Sequence, residues 1–181
     1  MSGEVNIDGP LISAEQIQLR VAELAATITS DYIDRAGQLS IIVVLKGACF
    51  FAVDLMRQLK LPMQIDFLQA SSYAGTTSTG EVRLHSDISL PIAGTDVLLI
   101  EDIVDTGLTA AWLIRHLESH GPRSVKLCTL LDKPSRRRVE VSVHYVGFEI
   151  PDRFVLGYGL DYNESYRNLP AVHTAAAGSD D

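Results

Sequence analysis

Apolar residues recur at helical spacing in the first part of the chain, at Ile17, Val21, Leu24 and Ile28. Ser13 and Gln16 stand just before them with the spacing of a capping box, in which each residue bonds the backbone N–H of the other. The sequence therefore predicts a first helix that runs to about Ser30.

Further along the chain, residues 40–45 form a continuous apolar run rich in β-branched residues, and 97–100 and 124–132 are further candidates for buried strands. Such runs are typical of strands that are buried on both faces of a parallel sheet. Helical patterns separate them, one at 48–59 and one after Thr109 that Gly121 and Pro122 end. This alternation indicates an α/β fold with a central, mainly parallel sheet flanked by helices.

The remaining segments complete the expected architecture. Residues 63–73 and 82–88 predict a hairpin around the small polar loop 74–81, and 144–150 and 154–160 predict two late strands. We expect a disordered tail from about residue 171. The sequence contains neither an internal repeat nor a composition that marks a linker, so we expect one domain over residues 1–181.

Composition limits the functions to consider. The 181 residues carry a net charge of −8, which argues against a nucleic-acid partner, and no apolar run is long enough to suggest a membrane. The N-terminus does not resemble a secretory signal, and Cys49 and Cys128 are far apart in apolar surroundings, so we expect free thiols in the cytoplasm. His116 and His120 are four residues apart without an HExxH pattern, so the sequence predicts no zinc site.

Three arginines in succession, Arg136–Arg138, form a basic run. We interpret this run as a solvated loop or a subunit contact. The alternatives are attraction of a polyanionic substrate and binding of RNA.

The stretch VLLIEDIVDTGLT, residues 97–109, carries the densest chemistry of the chain. Gly107 allows close approach of a ligand to the backbone, and Thr106 and Thr109 add hydroxyl donors at a predicted helix start, so this segment suits a phosphate monoester. Glu101, Asp102 and Asp105 would repel that phosphate unless they serve another part of the ligand. Carboxylates bind ribose hydroxyls, accept protons and hold Mg²⁺.

This stretch resembles the phosphoribosyl-pyrophosphate (PRPP) signature of the type I phosphoribosyltransferases. Four further segments resemble the hypoxanthine-guanine branch of that family: VVLKGACFF, DFLQASSYAGTTSTGEV, LLDKPSRR and PDRFVLGYGLDYNESYRNLP. The resemblance spans roughly residues 10 to 170. It implies the fold of that family, with a small hood region and a flexible hairpin loop. It also implies purine salvage, in which PRPP and hypoxanthine or guanine give IMP or GMP and pyrophosphate.

The resemblance assigns the PRPP-binding residues. It implies that Glu101 and Asp102 bind the ribose hydroxyls and that Asp105–Thr109, which includes Leu108, surrounds the 5′-phosphate. Asp105 would also be the general base at the purine. Some eukaryotic relatives have lysine where this chain has Leu108. Mg²⁺ is the implied cofactor, at Glu101, Asp102 and Asp161.

The resemblance also assigns the residues around pyrophosphate and purine. Lys46, Gly47 and Arg167 would bind pyrophosphate, with a cis peptide before Lys46. Ser72 and Tyr73 would belong to the flexible loop. The residues implied to meet the purine are Lys133, Phe154, Val155 and Asp161. Without the resemblance, the lysines and Arg167 would be interpreted as solvated, Tyr73 as a strand-end aromatic and Phe154 as a core residue.

Three alternative functions share this fold: a xanthine-guanine phosphoribosyltransferase, an orotate phosphoribosyltransferase, and a regulatory protein that binds RNA or DNA and senses nucleotides. Lys133 and FVLGYGLDYNE argue against orotate, and the net charge argues against the regulatory protein. A homodimer or homotetramer is expected from the family.

Overall fold

A computed structural model of the chain describes residues 7–35, 38–72 and 82–175. The helices are α1 (Ala14–Tyr32), α2 (Cys49–Gln58) and α3 (Leu108–Glu118). The strands are β1 (Ile7–Ile12), β2 (Leu39–Leu45), β3 (Met63–Ser72), β4 (Val82–Ser86), β5 (Asp96–Val104), β6 (Ser124–Asp132), β7 (Tyr145–Glu149), β8 (Val155–Leu156) and β9 (Val172–Ala175).

Six of the strands form the main sheet, in the order β4-β3-β2-β5-β6-β7. All neighbours in it are parallel except β3 and β4, which pair antiparallel as a hairpin. Ile100 at the centre of β5 pairs with Val43 on one side and Cys128 on the other. The α/β fold with a mainly parallel sheet is confirmed.

Apolar side chains cover both faces of this sheet because neighbouring residues of a strand point to opposite sides. On one face, Ile41 and Val43 of β2 belong to the core that α1 and α2 cover. On the other face, Ile42 and Val44 belong to the core that α3 covers. The continuous apolar runs in the sequence are thus explained by helices on both faces.

Helix α1 begins at the capping box predicted from the sequence. The Ser13 hydroxyl accepts the backbone N–H of Gln16, and the Gln16 side chain accepts the N–H of Ser13. The helix continues to Tyr32, two residues beyond the predicted end. None of the helices in the described residues is long and apolar enough to cross a membrane.

A second, three-stranded sheet has the order β1-β9-β8 and corresponds to the expected hood region. The prediction of disorder from about residue 171 is wrong for Val172–Ala175, which form β9 between β1 and β8. Residues 176–181 lie outside the described residues. The strand predicted over 154–160 is only two residues long, because Gly157 and Gly159 have positive φ and interrupt the extended backbone.

Strand β5 is longer than its apolar run. The sequence predicts its end at Ile100, whereas the strand continues to Val104. Glu101 and Thr129 of β6 are paired, as are Val104 and Asp132. Hydrogen bonds to β6 therefore extend the strand through the acidic residues Glu101 and Asp102. Both acids lie on the rigid sheet rather than in a loop.

Candidate active site

A cleft of about 620 Å³ opens at the carboxyl ends of β2 and β5. Ligands of open α/β sheets bind at this end of the strands. Ten of the predicted site residues line the cleft: Lys46, Gly47, Glu101, Asp102, Asp105, Thr106, Gly107, Thr109, Asp161 and Arg167. The fold therefore brings together residues from three segments of the sequence.

The start of α3 forms the floor of a possible anion site. Gly107 is the N-cap residue with φ of +82°, and the next residue, Leu108, begins the helix. A Cβ at Gly107 would lie 2.9 Å from the carbonyl oxygen of Val139, so both the backbone conformation and the space require glycine here. The first N–H groups of a helix lack intrahelical acceptors and attract anions.

The loop before α3 is fixed from both sides. The Thr106 hydroxyl lies 3.4 Å from the backbone nitrogen of Leu108. The Thr106 carbonyl accepts N–H groups of Arg138 at 2.9 Å and Val139 at 3.3 Å. The segment that contains the basic run therefore supports the phosphate cradle through its backbone.

The paired acids Glu101 and Asp102 are electrostatically unusual. Glu101 is buried, and burial together with the charge of Asp102 raises its pKa well above the ordinary value. Burial also raises the pKa of Asp102, although N–H groups of the backbone and the charge of Arg167 act in the opposite direction. Both carboxylates therefore favour a ligand that supplies hydroxyl donors or positive charge.

The loop after β2 packs directly on one of these acids. A Cβ at Gly47 would lie 1.6 Å from Oδ2 of Asp102, and a Cβ at Gly159 would lie 2.0 Å from the carbonyl oxygen of Gly47. Neither position has room for a side chain. The peptide between Leu45 and Lys46 is cis, as the resemblance implies.

Charged side chains form a network across the mouth of the cleft. Lys46 Nζ lies 2.6 Å from Oε2 of Glu164, and Arg167 contacts Oε1 of Glu164 at 3.2 Å and Asp161 at 2.9 Å. Arg167 also donates to the Gly159 carbonyl, while its buried Nε has no hydrogen-bond partner within the described part of the chain. Glu164 was not predicted as a site residue, because nothing in its local sequence indicates its pairing with Lys46, which lies 118 residues earlier in the chain.

Asp105 follows β5 and forms an ion pair that the sequence did not predict. Its Oδ1 accepts from Nε of Arg136 at 3.0 Å, and Arg136 also contacts Asp152 at 3.2 Å. Arg137 donates to the Asp105 carbonyl at 2.7 Å and pairs with the Asp132 carboxylate. Arg136 and Arg137 are therefore paired with acids beside the cleft, while Arg136 also remains exposed, as expected for a solvated loop.

The predicted purine residues Lys133, Phe154 and Val155 do not line the cleft, and neither does Leu108. Lys133 is nevertheless close, because its backbone N–H bonds the carbonyl of Val104. Its side chain is buried and donates to the carbonyl of Arg153 at 2.7 Å. The Phe154 ring is 53% exposed and meets Tyr162 edge to face, so it is not a core residue, whereas Val155 is buried in β8.

The predicted flexible loop is described only at its start. Ser72 ends β3, and Tyr73 lies outside the described residues. Two residues just before them, Ala70 and Ser71, line the cleft and were not predicted. The end of β3 therefore forms one wall of the site.

The donor chemistry of the site suits a hard divalent cation. Glu101, Asp102 and Asp161 offer carboxylate oxygens. Glu101 is buried and Asp102 partly buried, and positive charge would stabilise both. These three are not among the groups within the described residues whose ligand atoms converge closely enough to enclose an ion. This arrangement fits Mg²⁺, which binds through one or two carboxylates and keeps waters and substrate oxygens.

Comparison with known proteins decides the family. A family model described as "Phosphoribosyl transferase domain" matches residues 12–163. The chain belongs to the phosphoribosyltransferase family. The chain is 49% identical over 174 residues to a hypoxanthine-guanine phosphoribosyltransferase of Mycobacterium avium, with 93% of this chain and 86% of the relative covered.

Two other matches agree. A Bacillus subtilis protein of the same name is 46% identical over 168 residues, with 92% of each chain covered. The crystal structure of a hypoxanthine-guanine phosphoribosyltransferase from Bacillus anthracis has a TM-score of 0.88 and 46% identity, covering 96% of this chain and 100% of that one. The resemblance inferred from the sequence is confirmed, and this phosphoribosyltransferase is an enzyme.

Proposed function

We propose that this phosphoribosyltransferase acts in purine salvage, transferring the 5-phosphoribosyl group of PRPP to hypoxanthine and guanine. The products are IMP or GMP and pyrophosphate. The observation that carries the proposal is the single cleft in which the acid pair Glu101–Asp102 lies between the anion site at Gly107 and the Lys46–Gly47 loop.

The two ends of the cleft suit the 5′-phosphate and the pyrophosphate of PRPP. We assign the 5′-phosphate to the helix start at Thr106–Thr109, where backbone N–H groups and hydroxyls are the donors. We assign pyrophosphate to Lys46, Gly47 and Arg167. Lys46 and Arg167 now share Glu164, so PRPP would compete with that carboxylate for both cations.

The acids between these ends suit the ribose. Glu101 and Asp102 would accept hydrogen bonds from its hydroxyls, which relieves part of the cost of burying them. Their negative charge would also favour the positive charge that develops on the ribose carbon as pyrophosphate leaves. When bound at Glu101, Asp102 and Asp161, Mg²⁺ would neutralise charge on the leaving group.

The purine would lie beside Asp105 and Lys133. We propose that Asp105 accepts a proton from N7 through the carboxylate, while Arg136 holds its Oδ1 and orients it. Lys133 would donate to the 6-oxo group, since its Nζ bonds one carbonyl and has further N–H donors. The exposed ring of Phe154 would stack on the base, and the backbones of Val155 and Asp161 would meet its edge.

A screen of free bases tests this function. The enzyme is incubated with PRPP and Mg²⁺ and with hypoxanthine, guanine, xanthine, adenine or orotate, and nucleotide formation is followed by ultraviolet absorbance. We expect turnover with hypoxanthine and guanine. Turnover confined to xanthine or orotate, or none with any base, would overturn the proposed specificity.

We further propose a homodimer or homotetramer in the cytoplasm. Exposed apolar side chains on α2 and β3 suit subunit contacts, namely Phe50, Val53, Ile65 and Phe67. The free cysteines Cys49 and Cys128 suit a reducing compartment. Light scattering during gel filtration would measure the subunit number, and a monomer at micromolar concentration would contradict the oligomer.

A further inference from the structure

A cluster of nitrogen and oxygen ligands lies on the surface away from the active-site cleft. Asp87, His116 and His120 each offer one ligand atom, and these atoms all lie within 4.8 Å of one another. His116 lies in the last turn of α3 and His120 two residues beyond its end, while Asp87 directly follows β4. None of the three lines the cleft.

A hydrogen bond to the backbone of α3 distinguishes the two ring nitrogens of His120. Its Nδ1 lies 3.0 Å from the carbonyl oxygen of His116, which can only accept, so Nδ1 carries the proton. Nε2 of His120 therefore has its lone pair available. Metal-binding histidines are commonly oriented in this way, by a hydrogen bond from the other ring nitrogen to a backbone carbonyl.

The second imidazole is already directed at the carboxylate. Nε2 of His116 lies 2.8 Å from Oδ1 and 3.0 Å from Oδ2 of Asp87. Since a carboxylate only accepts, Nε2 carries a proton in this contact, and an ion bound to it would displace that proton to solvent. Its ring is stacked on Trp112, with centroids 5.1 Å apart and planes 7° from parallel, and this contact limits its rotation. The backbone N–H of Ile88 holds Oδ1 of Asp87 at 2.8 Å. Two of the three ligands are thus held by their neighbours before any ion binds.

We propose that Asp87, His116 and His120 form a binding site for Zn²⁺ or a similar divalent transition metal. Two imidazoles and one carboxylate suit Zn²⁺, with water as the fourth ligand, whereas Mg²⁺ prefers a set made only of oxygen. The sequence predicted no zinc site because the third ligand lies 29 residues before His116. A bound ion would join the base of the β3–β4 hairpin to α3, the helix whose first turn forms the anion site.

Trp112 provides a local probe, because it is the single tryptophan of the chain and stacks on one proposed ligand. The experiment measures Zn²⁺ binding by equilibrium dialysis against excess Mg²⁺, which occupies oxygen sites. In parallel, Ni²⁺ serves as a paramagnetic quencher of tryptophan fluorescence, and Zn²⁺ is added to compete with it. We expect one Zn²⁺ per chain and quenching by Ni²⁺ that Zn²⁺ reverses.

Substitutions identify the ligands. His120→Gln and Asp87→Asn should each weaken binding by more than about 10-fold, since loss of even an outer-shell partner typically costs about 10–100-fold. Glu118→Gln is the matched control on the same helix and should bind as the wild type does. Thermal unfolding without metal checks that every variant folds. Zn²⁺ affinity that is unchanged in both His120→Gln and Asp87→Asn, or the absence of any Ni²⁺ quenching in the wild type, would overturn the proposal.

Discussion

Asp105 has two carboxylate oxygens, and the structure gives one of them a defined partner. Its Oδ1 accepts from Arg136, which also contacts Asp152. An asparagine in its place could still accept that hydrogen bond but could not take up a proton. The residue therefore allows positioning and proton transfer to be tested separately.

We predict that Asp105→Asn lowers the single-turnover rate of nucleotide formation by about 10²–10⁴-fold, the usual contribution of general base catalysis. Affinity for PRPP should change far less. Rapid quench of enzyme in excess over substrate is the appropriate measurement, because product release can hide the chemical step in steady state. Asp152→Asn is the matched control, since it removes the other acid that binds Arg136. Equal single-turnover rates for Asp105→Asn and wild type would reduce Asp105 to a loop-shaping residue.

Lys133 is a buried cation with one identified side-chain acceptor, the carbonyl of Arg153. We predict that Lys133→Ala weakens base binding by about 10- to 100-fold, because a hydrogen bond to a charged group contributes about 1.5–3 kcal/mol. Discrimination against adenine should decrease as well. Michaelis constants for hypoxanthine and guanine measure the effect. Lys126→Ala, near the other end of β6, is the control, and constants equal to wild type in Lys133→Ala would refute the assignment.

At the scale of elements, Asp96 joins the start of β5 to the start of β6. Its side chain is fully buried and accepts from Arg123 at 2.5 and 3.0 Å and from Ser124 at 2.7 Å. The hydrogen bonds from Arg123 outweigh desolvation and lower the pKa of Asp96 from 3.8 to about 2. Because the folded-state pKa lies below the unfolded one, the stabilisation is complete above pH ~4 and disappears as the pH falls towards 2.

We predict that Asp96→Asn lowers the free energy of unfolding at neutral pH by on the order of 2 kcal/mol, the equivalent of this pKa difference. The loss should become smaller as the pH is lowered towards about 2.5. Urea unfolding of both proteins at several pH values provides the measurement, with the exposed Asp34→Asn as control. A loss of the same size at every pH would show that the ion pair is not its cause.

The sequence was most informative where a pattern is local. The capping box at Ser13 and the apolar runs of β2 and β6 depend on residues close together in the chain, and each was confirmed. The end of β5 was misplaced because pairing with β6, rather than hydrophobicity, carries the strand through Glu101 and Asp102. The strand β9 was missed because it forms by pairing with β1 and β8. Both partners lie more than a dozen residues away in the sequence.

In the candidate site too, contacts between distant residues were not predicted from the sequence. The resemblance assigned the residues of the cleft, but it did not indicate the contacts between them. Arg136 meets Asp105 across 31 residues of sequence, and Lys46 meets Glu164 across 118. Such pairs depend on the order of the strands in the sheet, which apolar periodicity does not encode.

At the scale of the whole molecule, charge limits how the enzyme can bind its substrate. The chain carries a net charge of −8, and its cleft holds the acids Glu101, Asp102 and Asp161. PRPP is itself a polyanion. The cations Lys46 and Arg167 are already paired with acids, so the protein alone offers little uncompensated positive charge for the pyrophosphate.

We therefore predict that PRPP binding and turnover both require a divalent cation, which would reduce the repulsion between substrate and acids. Activity should vanish in excess EDTA and return when Mg²⁺ or Mn²⁺ is added, and calorimetry should detect PRPP binding only with the metal present. Restoration by Mg²⁺ in zinc-free buffer separates this requirement from the surface site at Asp87, because imidazole ligands disfavour Mg²⁺. Undiminished turnover in EDTA would refute the assignment of a metal to these three acids.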